Sequence, residues 1–132
     1  MQPLRIQRRR TAGYSMRAAS LAANGLHCIS VTRLGRWGNP YDLKVFGRDL
    51  SLTLFRNSVE GVWSPDPDKN ESDEICDAAY AAHLAFMKRF SGDHSLNAAR
   101  AELHGHNLAC YCKLSDNCHA DIYLEILYGG RS

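Results

Sequence analysis

The run NLACYCKLSDNCHADIYLEIL, residues 107–127, constrains the fold of this chain more than any other stretch. It begins with a compact apolar segment of strand length, NLACYC, and passes through the turn cluster KLSDN. It then continues into CHADIYLEILYG, where Ile122, Leu124, Ile126 and Leu127 precede Gly129 in the pattern of a helix closed by glycine. The unit is strand, loop, helix. In an open α/β sheet such a loop lies at the carboxyl edge of a strand, where ligands bind. The helix start also turns free N–H groups toward the loop, which favours an anion or a thiolate there.

Three cysteines and a histidine sit in that loop, and three kinds of chemistry fit them. A zinc site would use Cys110, Cys112, Cys118 and His119, spaced C-x-C-x5-C-H. Structural zinc sites usually carry C-x2-C and H-x3-H spacings, whereas here the neighbours Cys118 and His119 would have to converge on one ion. A thiol site would place Cys118, with Cys112 beside it, at the positive end of the last helix, where a thiol ionises more readily. His119 would then act as acid or base, or hold an anion when protonated. The Cys-x5 loop resembles those of phosphatases and rhodaneses. Those loops place an arginine after the five residues, and this chain has Cys118 there, which counts against the same mechanism. In a packing reading, Cys110 and Cys112 are small buried hydrophobes, Cys118 lies near a helix cap and His119 is hydrogen-bonded to a neighbouring loop.

The rest of the chain reads as one domain. GLHCISVT, residues 25–32, is a buried strand that enters the turn-rich segment RLGRWGNP, and Pro40 makes WGNPY a fixed loop. DLSLTLFRNSVEG places Leu52, Phe55 and Val59 on one helical face, with Asp49 as its N-cap and Gly61 as its stop; the alternation of Leu50, Leu52 and Leu54 also permits a strand. Residues 62–72 form a polar surface loop. SDEICDAAYAAHLAFMKRF has early acids, late bases and apolar positions at Ile75, Ala79, Ala82, Phe86 and Phe90, as a helix requires. SLNAARAELHG is a shorter helix capped by Ser95 and ended by Gly105. Cys28 reads as a core strand residue, Cys76 as a helix residue and His83 as a satisfied helical histidine; His104 and His106 flank Gly105 in a turn.

Charge and cysteine count narrow the setting. Residues 1–41 hold Arg5, Arg8, Arg9, Arg10, Arg17, Arg33 and Arg36 and no acid, a formal +7 that the remaining residues reduce to the net +2. Guanidinium forks suit bidentate contacts to phosphate or carboxylate. Residues 1–16 are thus a basic entry segment. Five cysteines are an odd number and match no secreted disulfide framework. No apolar run reaches the roughly 18 residues of a membrane span, and the opening residues lack the apolar core of a secretory signal. A cytoplasmic protein without a membrane partner is expected.

RIQRRRTAGYSM, RWGNPY and LHGHNLACYCKLSDNCHADIYLEIL, in that order, together resemble domain-of-unknown-function family 4326, small proteins often found in phages and prophages. The signature positions carried over are Arg8, Arg9, Arg10, Thr11, Gly13, Trp37, Gly38, Asn39, Pro40, Cys112, Cys118, His119 and Asp121. Tyr111 stands where the family more often has tryptophan. The resemblance implies organisation more than activity, since the family is without an assigned biochemistry.

The expectation is a single small α/β domain spanning 1–132, with a short, mainly parallel sheet and flanking helices, Rossmann-like in two or three layers. A nucleotide or nucleoside-like ligand would occupy a cleft between RWGNP and the CYC-x5-CH loop. Arg8, Arg9, Arg10 and Thr11 would clamp its phosphate, Trp37 or Tyr111 would stack on its base, and Gly38, Asn39 and Asp121 would position it. Whether the chain is an enzyme stays open; if so, Cys118, His119 and Cys112 are the chemical groups, acting on a nucleotide or nucleobase derivative. No cofactor is required, zinc being the one metal considered. Two alternatives are a nucleic-acid-binding accessory protein that uses the N-terminal arginines and Trp37, and a zinc-stabilised interaction module.

Overall fold

In a computed structural model, residues 2–32, 35–89 and 96–128 are described, Leu96 by its backbone alone. The elements run β1 (Arg5–Gln7), α1 (Met16–Asn24), β2 (Cys28–Ser30), α2 (Leu43–Phe46), α3 (Arg48–Glu60), α4 (Asp73–Arg89), α5 (Leu96–Leu103), β3 (Asn107–Cys110) and α6 (His119–Tyr128). The three strands form an open sheet in the order β1-β3-β2, and both pairings are parallel. The fold is α/β, a single small domain, as expected. Among the described residues, no helix is long and apolar enough to cross a membrane.

The central strand comes last in the sequence. All four residues of β3 are buried, as the middle strand of a parallel sheet covered on both faces must be. Alternation along β3 sends Asn107 and Ala109 to one face and Leu108 and Cys110 to the other. Asn107 bonds to Ser20 and Asn24, so α1 covers the first face. Leu108 and Cys110 belong to the main core with Leu54, Phe55, Ala120 and Ile122, so α3 and α6 cover the second. Helices on both faces make this the three-layer variant.

The first strand and first helix change the expected picture of the amino-terminal segment. RIQ has one apolar residue and no strand periodicity, yet Ile6 pairs with Ala109 and makes β1 an edge strand. Helix α1 carries signals that the expected boundaries missed: the Ser15 hydroxyl accepts from the Ala18 N–H, and Gly25 closes the helix at φ 79°, donating to the Leu21 carbonyl.

Farther along, DLSLTLFRNSVEG is a helix and not a strand, and it ends at Gly61 as expected. Asp49 lies in its first turn and is not its N-cap. The chain enters α3 through Gly47 at φ 76°, while Asp42 caps the preceding short helix by accepting from the Lys44 N–H at 2.9 Å. Helix α4 starts from Ser72, whose hydroxyl accepts from the Ile75 N–H at 3.2 Å. Only Ala79 of its expected apolar face is fully buried. Between Gly61 and Ser72 there is neither helix nor strand, and Trp63 near its start stacks on His83 with ring centroids 4.1 Å apart. His83 also meets the Tyr41 hydroxyl at 3.1 Å, so it is satisfied within the fold. Arg33, Phe90, the Ser95 cap and the Gly129 stop lie outside the described residues.

Candidate functional site: a pocket floored by three cysteines

The carboxyl ends of β2 and β3 meet the amino end of α6, and a pocket of ≈ 160 Å³ opens there. Asn39 from the WGNP loop lines it, together with Cys110, Tyr111, Cys112, Cys118 and His119 from the cysteine loop. Leu43, Leu52 and Arg48, from α2 and α3, form the opposite wall.

Two arginines shape the cysteine loop. Arg5, whose side chain is only 7 % exposed, donates to the carbonyls of Leu114 and Asp116 at 2.9 and 2.8 Å and holds the Asp121 carboxylate at 3.1 Å. Asp121 in turn accepts from the Cys118 N–H at 3.1 Å, half of a capping box in which Cys118 is the N-cap and Asp121 the third helical residue. Asp121 therefore anchors the helix start and lies outside the lining of the pocket. Arg48 donates to the Asn117 carbonyl, pairs with Asp116 at 3.7 Å and approaches the Cys112 sulfur at 3.9 Å. Neither Arg5 nor Arg48 stands out as a site residue in the sequence. Each becomes one only because tertiary packing brings it against a loop more than 60 residues away.

The sulfurs of Cys110, Cys112 and Cys118 all lie within 4.8 Å of one another, with Cys110 and Cys112 at 3.7 Å. Without a cation between them, three thiols so close cannot each ionise, because like charges repel in a half-buried site. Of the three, Cys112 is the one pushed toward ionisation. Hydrogen bonds from Cys110 and Cys118 hold its thiol far below the usual range, and Arg48 adds to them. Cys110 is pushed up, chiefly by its bond to Cys112, and Cys118 is pushed up by its bonds to Cys110 and Cys112 and by burial. The helix start does not make Cys118 the readily ionised thiol expected from its position. Cys118 is 1 % exposed, and its thiol, with its pKa raised, stays protonated beside Cys112.

His119 has a different place from that expected of a fourth ligand. Its Nε2 meets the Val31 carbonyl, which can only accept, so Nε2 carries the proton and Nδ1 is left as the acceptor. Nδ1 lies 3.6 Å from the Cys118 sulfur, but the convergent group is the three sulfurs without His119. The ring packs edge-on against Phe55 at 5.2 Å and Tyr123 at 6.2 Å. Burial lowers its pKa to about 4, so it is neutral at pH 7.

The structure brings part of the expected ligand site together and disperses the rest. Arg8 and Arg10 place their guanidinium groups 4.7 and 3.9 Å from the centre of the Tyr111 ring, so they gather at a residue of the pocket wall. Arg9 and Thr11 are exposed and do not line the pocket. Trp37 is 7 % exposed, with Tyr123 at its edge and Arg36 over its ring, so it is a core residue and not a surface for stacking on a base. Gly38 is buried in a turn closed by its N–H to the Gly35 carbonyl. Asn39 lines the pocket with both ends of its amide engaged, Nδ2 donating to Ser51 and Oδ1 accepting from the Tyr41 N–H.

Fold and site together define the class: a small α/β domain with a cysteine-floored pocket at the carboxyl edge of a parallel sheet, whose three sulfurs are close enough to hold a metal. The chain belongs to the family described as Domain of unknown function (DUF4326), whose model matches residues 6–129. No curated protein and no solved structure matches it.

Proposed function

We propose that this protein binds a small phosphate-bearing ligand of the nucleotide or nucleoside type in the pocket between the Asn39 loop and the cysteine loop. One observation carries the reading: Arg48 and the Tyr111 ring that bears Arg8 and Arg10 border a pocket that is otherwise largely apolar. Leu43 and Leu52 would take a flat ring, and the guanidinium groups would hold an anion outside it. The pocket is small beside the roughly 300–1,000 Å³ that encloses a whole drug-sized ligand, so one ring system enters and the phosphate stays at the rim. If chemistry follows, Cys112 is the thiolate that performs it.

A thermal-shift screen of nucleotides and nucleosides tests this. A ligand at 100 times its dissociation constant adds about 2.7 kcal/mol, and Arg10→Ala with Arg48→Met should abolish the gain for nucleotides. A screen in which no nucleotide or nucleoside raises the melting temperature rules the reading out.

The convergence of the three sulfurs favours a second reading, in which Cys110, Cys112 and Cys118 hold Zn²⁺. Zinc takes thiolates at about 2.3 Å in a tetrahedron, which sets adjacent sulfurs about 3.8 Å apart. Cys110 and Cys112 already meet that spacing. Purified protein should carry one zinc per chain, and a chelator should lower its melting temperature in the wild type but not in Cys112→Ser. Metal-free protein that melts identically with and without added zinc contradicts it.

A further inference from the structure

We infer that a metal ion on Cys110, Cys112 and Cys118 has its fourth coordination position open to the pocket, so that an exogenous donor, by preference an anion, completes the site. The inference rests on the zinc reading above and concerns what that ion is for. A structural zinc is closed by four protein ligands, whereas a zinc that binds or activates a ligand keeps one position free.

The donor groups around the sulfurs are engaged elsewhere. His119 is the nearest, but its ring is held by the Val31 carbonyl on one side and by edge-to-face contacts with Phe55 and Tyr123, outside the convergent group. The Asn39 amide is used at both ends. The Thr32 hydroxyl is paired with Ser30 at 3.1 Å, and the Tyr41 hydroxyl with His83. Arg48 has no lone pair to give. Among the described histidines, cysteines, aspartates and glutamates, none joins the three sulfurs as a fourth ligand. All three cysteines line the pocket, so the open side of the ion faces it.

Charge indicates the class of the fourth ligand. Three thiolates and one Zn²⁺ sum to −1, and Arg48 beside Cys112, whose charge is shared with Asp116 at 3.7 Å, offsets part of that charge. The guanidinium leaves room for a further negative donor that would otherwise be repelled. A phosphate oxygen, a carboxylate or hydroxide fits, and a phosphate oxygen would join this site to the ligand proposed above.

The full-length protein loaded with Co²⁺ reports both levels separately. Wild type should show thiolate-to-metal charge-transfer absorption, lost in Cys112→Ser. Azide or inorganic phosphate should then shift the visible ligand-field bands in a saturable manner while the charge-transfer band persists. Arg48→Met should weaken that anion response at least tenfold with the charge-transfer band retained, and His119→Gln should leave the resting Co²⁺ spectrum, without added anion, as in wild type. Absence of the charge-transfer band means that the zinc reading has failed and this inference with it. A charge-transfer band with ligand-field bands that neither anion moves, or a resting spectrum altered by His119→Gln, means a closed site: the zinc reading survives and the open position is refuted.

Discussion

Replacing Asn107 with leucine should cost about 3–5 kcal/mol of stability, a fifth or more of the roughly 5–15 kcal/mol that a domain commonly has. Asn107 is fully buried in the central strand, and its amide uses its whole bonding capacity. Its Oδ1 accepts from the Leu4 N–H at 2.8 Å and from Asn24 Nδ2 at 2.9 Å. Its Nδ2 donates to Asn24 Oδ1 at 2.7 Å and to the Ser20 hydroxyl at 2.8 Å. One side chain thus ties the entry to β1 and helix α1 to the middle of the sheet. Leucine has a similar volume, so packing changes little, but the Leu4 N–H loses its acceptor and Ser20 and Asn24 each lose the Asn107 amide, keeping only their bonds to Leu26 and, for Asn24, to the Gln2 carbonyl. Each unpaired group costs about 1–3 kcal/mol. Urea denaturation measures the loss as a lower midpoint at unchanged slope. A loss below about 1 kcal/mol would show that water replaces the amide and that the network is not what joins α1 to the sheet.

In metal-free protein, acidification from pH 7 to 4 should remove roughly 3 kcal/mol through His119 alone. Burial lowers its pKa from 6.5 to about 4, while the nearby Cys112 charge raises it and Arg5 lowers it. Between those two values the unfolded chain binds a proton that the folded chain refuses, so stability rises with pH across this window and is lost as pH falls through it. His119→Gln can keep an N–H toward the Val31 carbonyl but has no proton to take up. Its stability should lie below that of wild type at pH 7, and the gap should narrow by roughly 3 kcal/mol at pH 4. Urea melts at several pH values in chelating buffer measure this. Parallel pH profiles for the two proteins would show that His119 protonates as readily folded as unfolded.

The contrast between these two residues shows how much the sequence made legible. His119 stands out because it adjoins a cysteine at the start of a periodic helix, and that local pattern marks a loop that lines the pocket. Its role did not follow, because a histidine's tautomer is set by whichever group it meets, here a carbonyl 88 residues earlier in the chain. Asn107 shows no local sign of importance. It reads as the first residue of an apolar run, and only the return of α1 over β3 makes it a junction. Trp37 shows the opposite case: its motif marks a fixed loop, but whether its ring faces solvent or core depends on Tyr123 packing against it.

Local physics, then, determined the α/β class, the strand β2, the helices α3, α4 and α6 with their glycine or charge signals, and the loop that carries the thiols, since periodicity, capping and turn chemistry act within a few residues. Tertiary structure alone decided that a three-residue arginine-bearing segment becomes an edge strand, that Arg5 and Arg48 hold the cysteine loop, and that Cys112 is the thiol whose pKa is lowered. Those outcomes depend on distances between parts of the chain far apart in sequence. A thiol ionises according to the donors within a few ångströms of it, and no spacing along the chain specifies which donors those are.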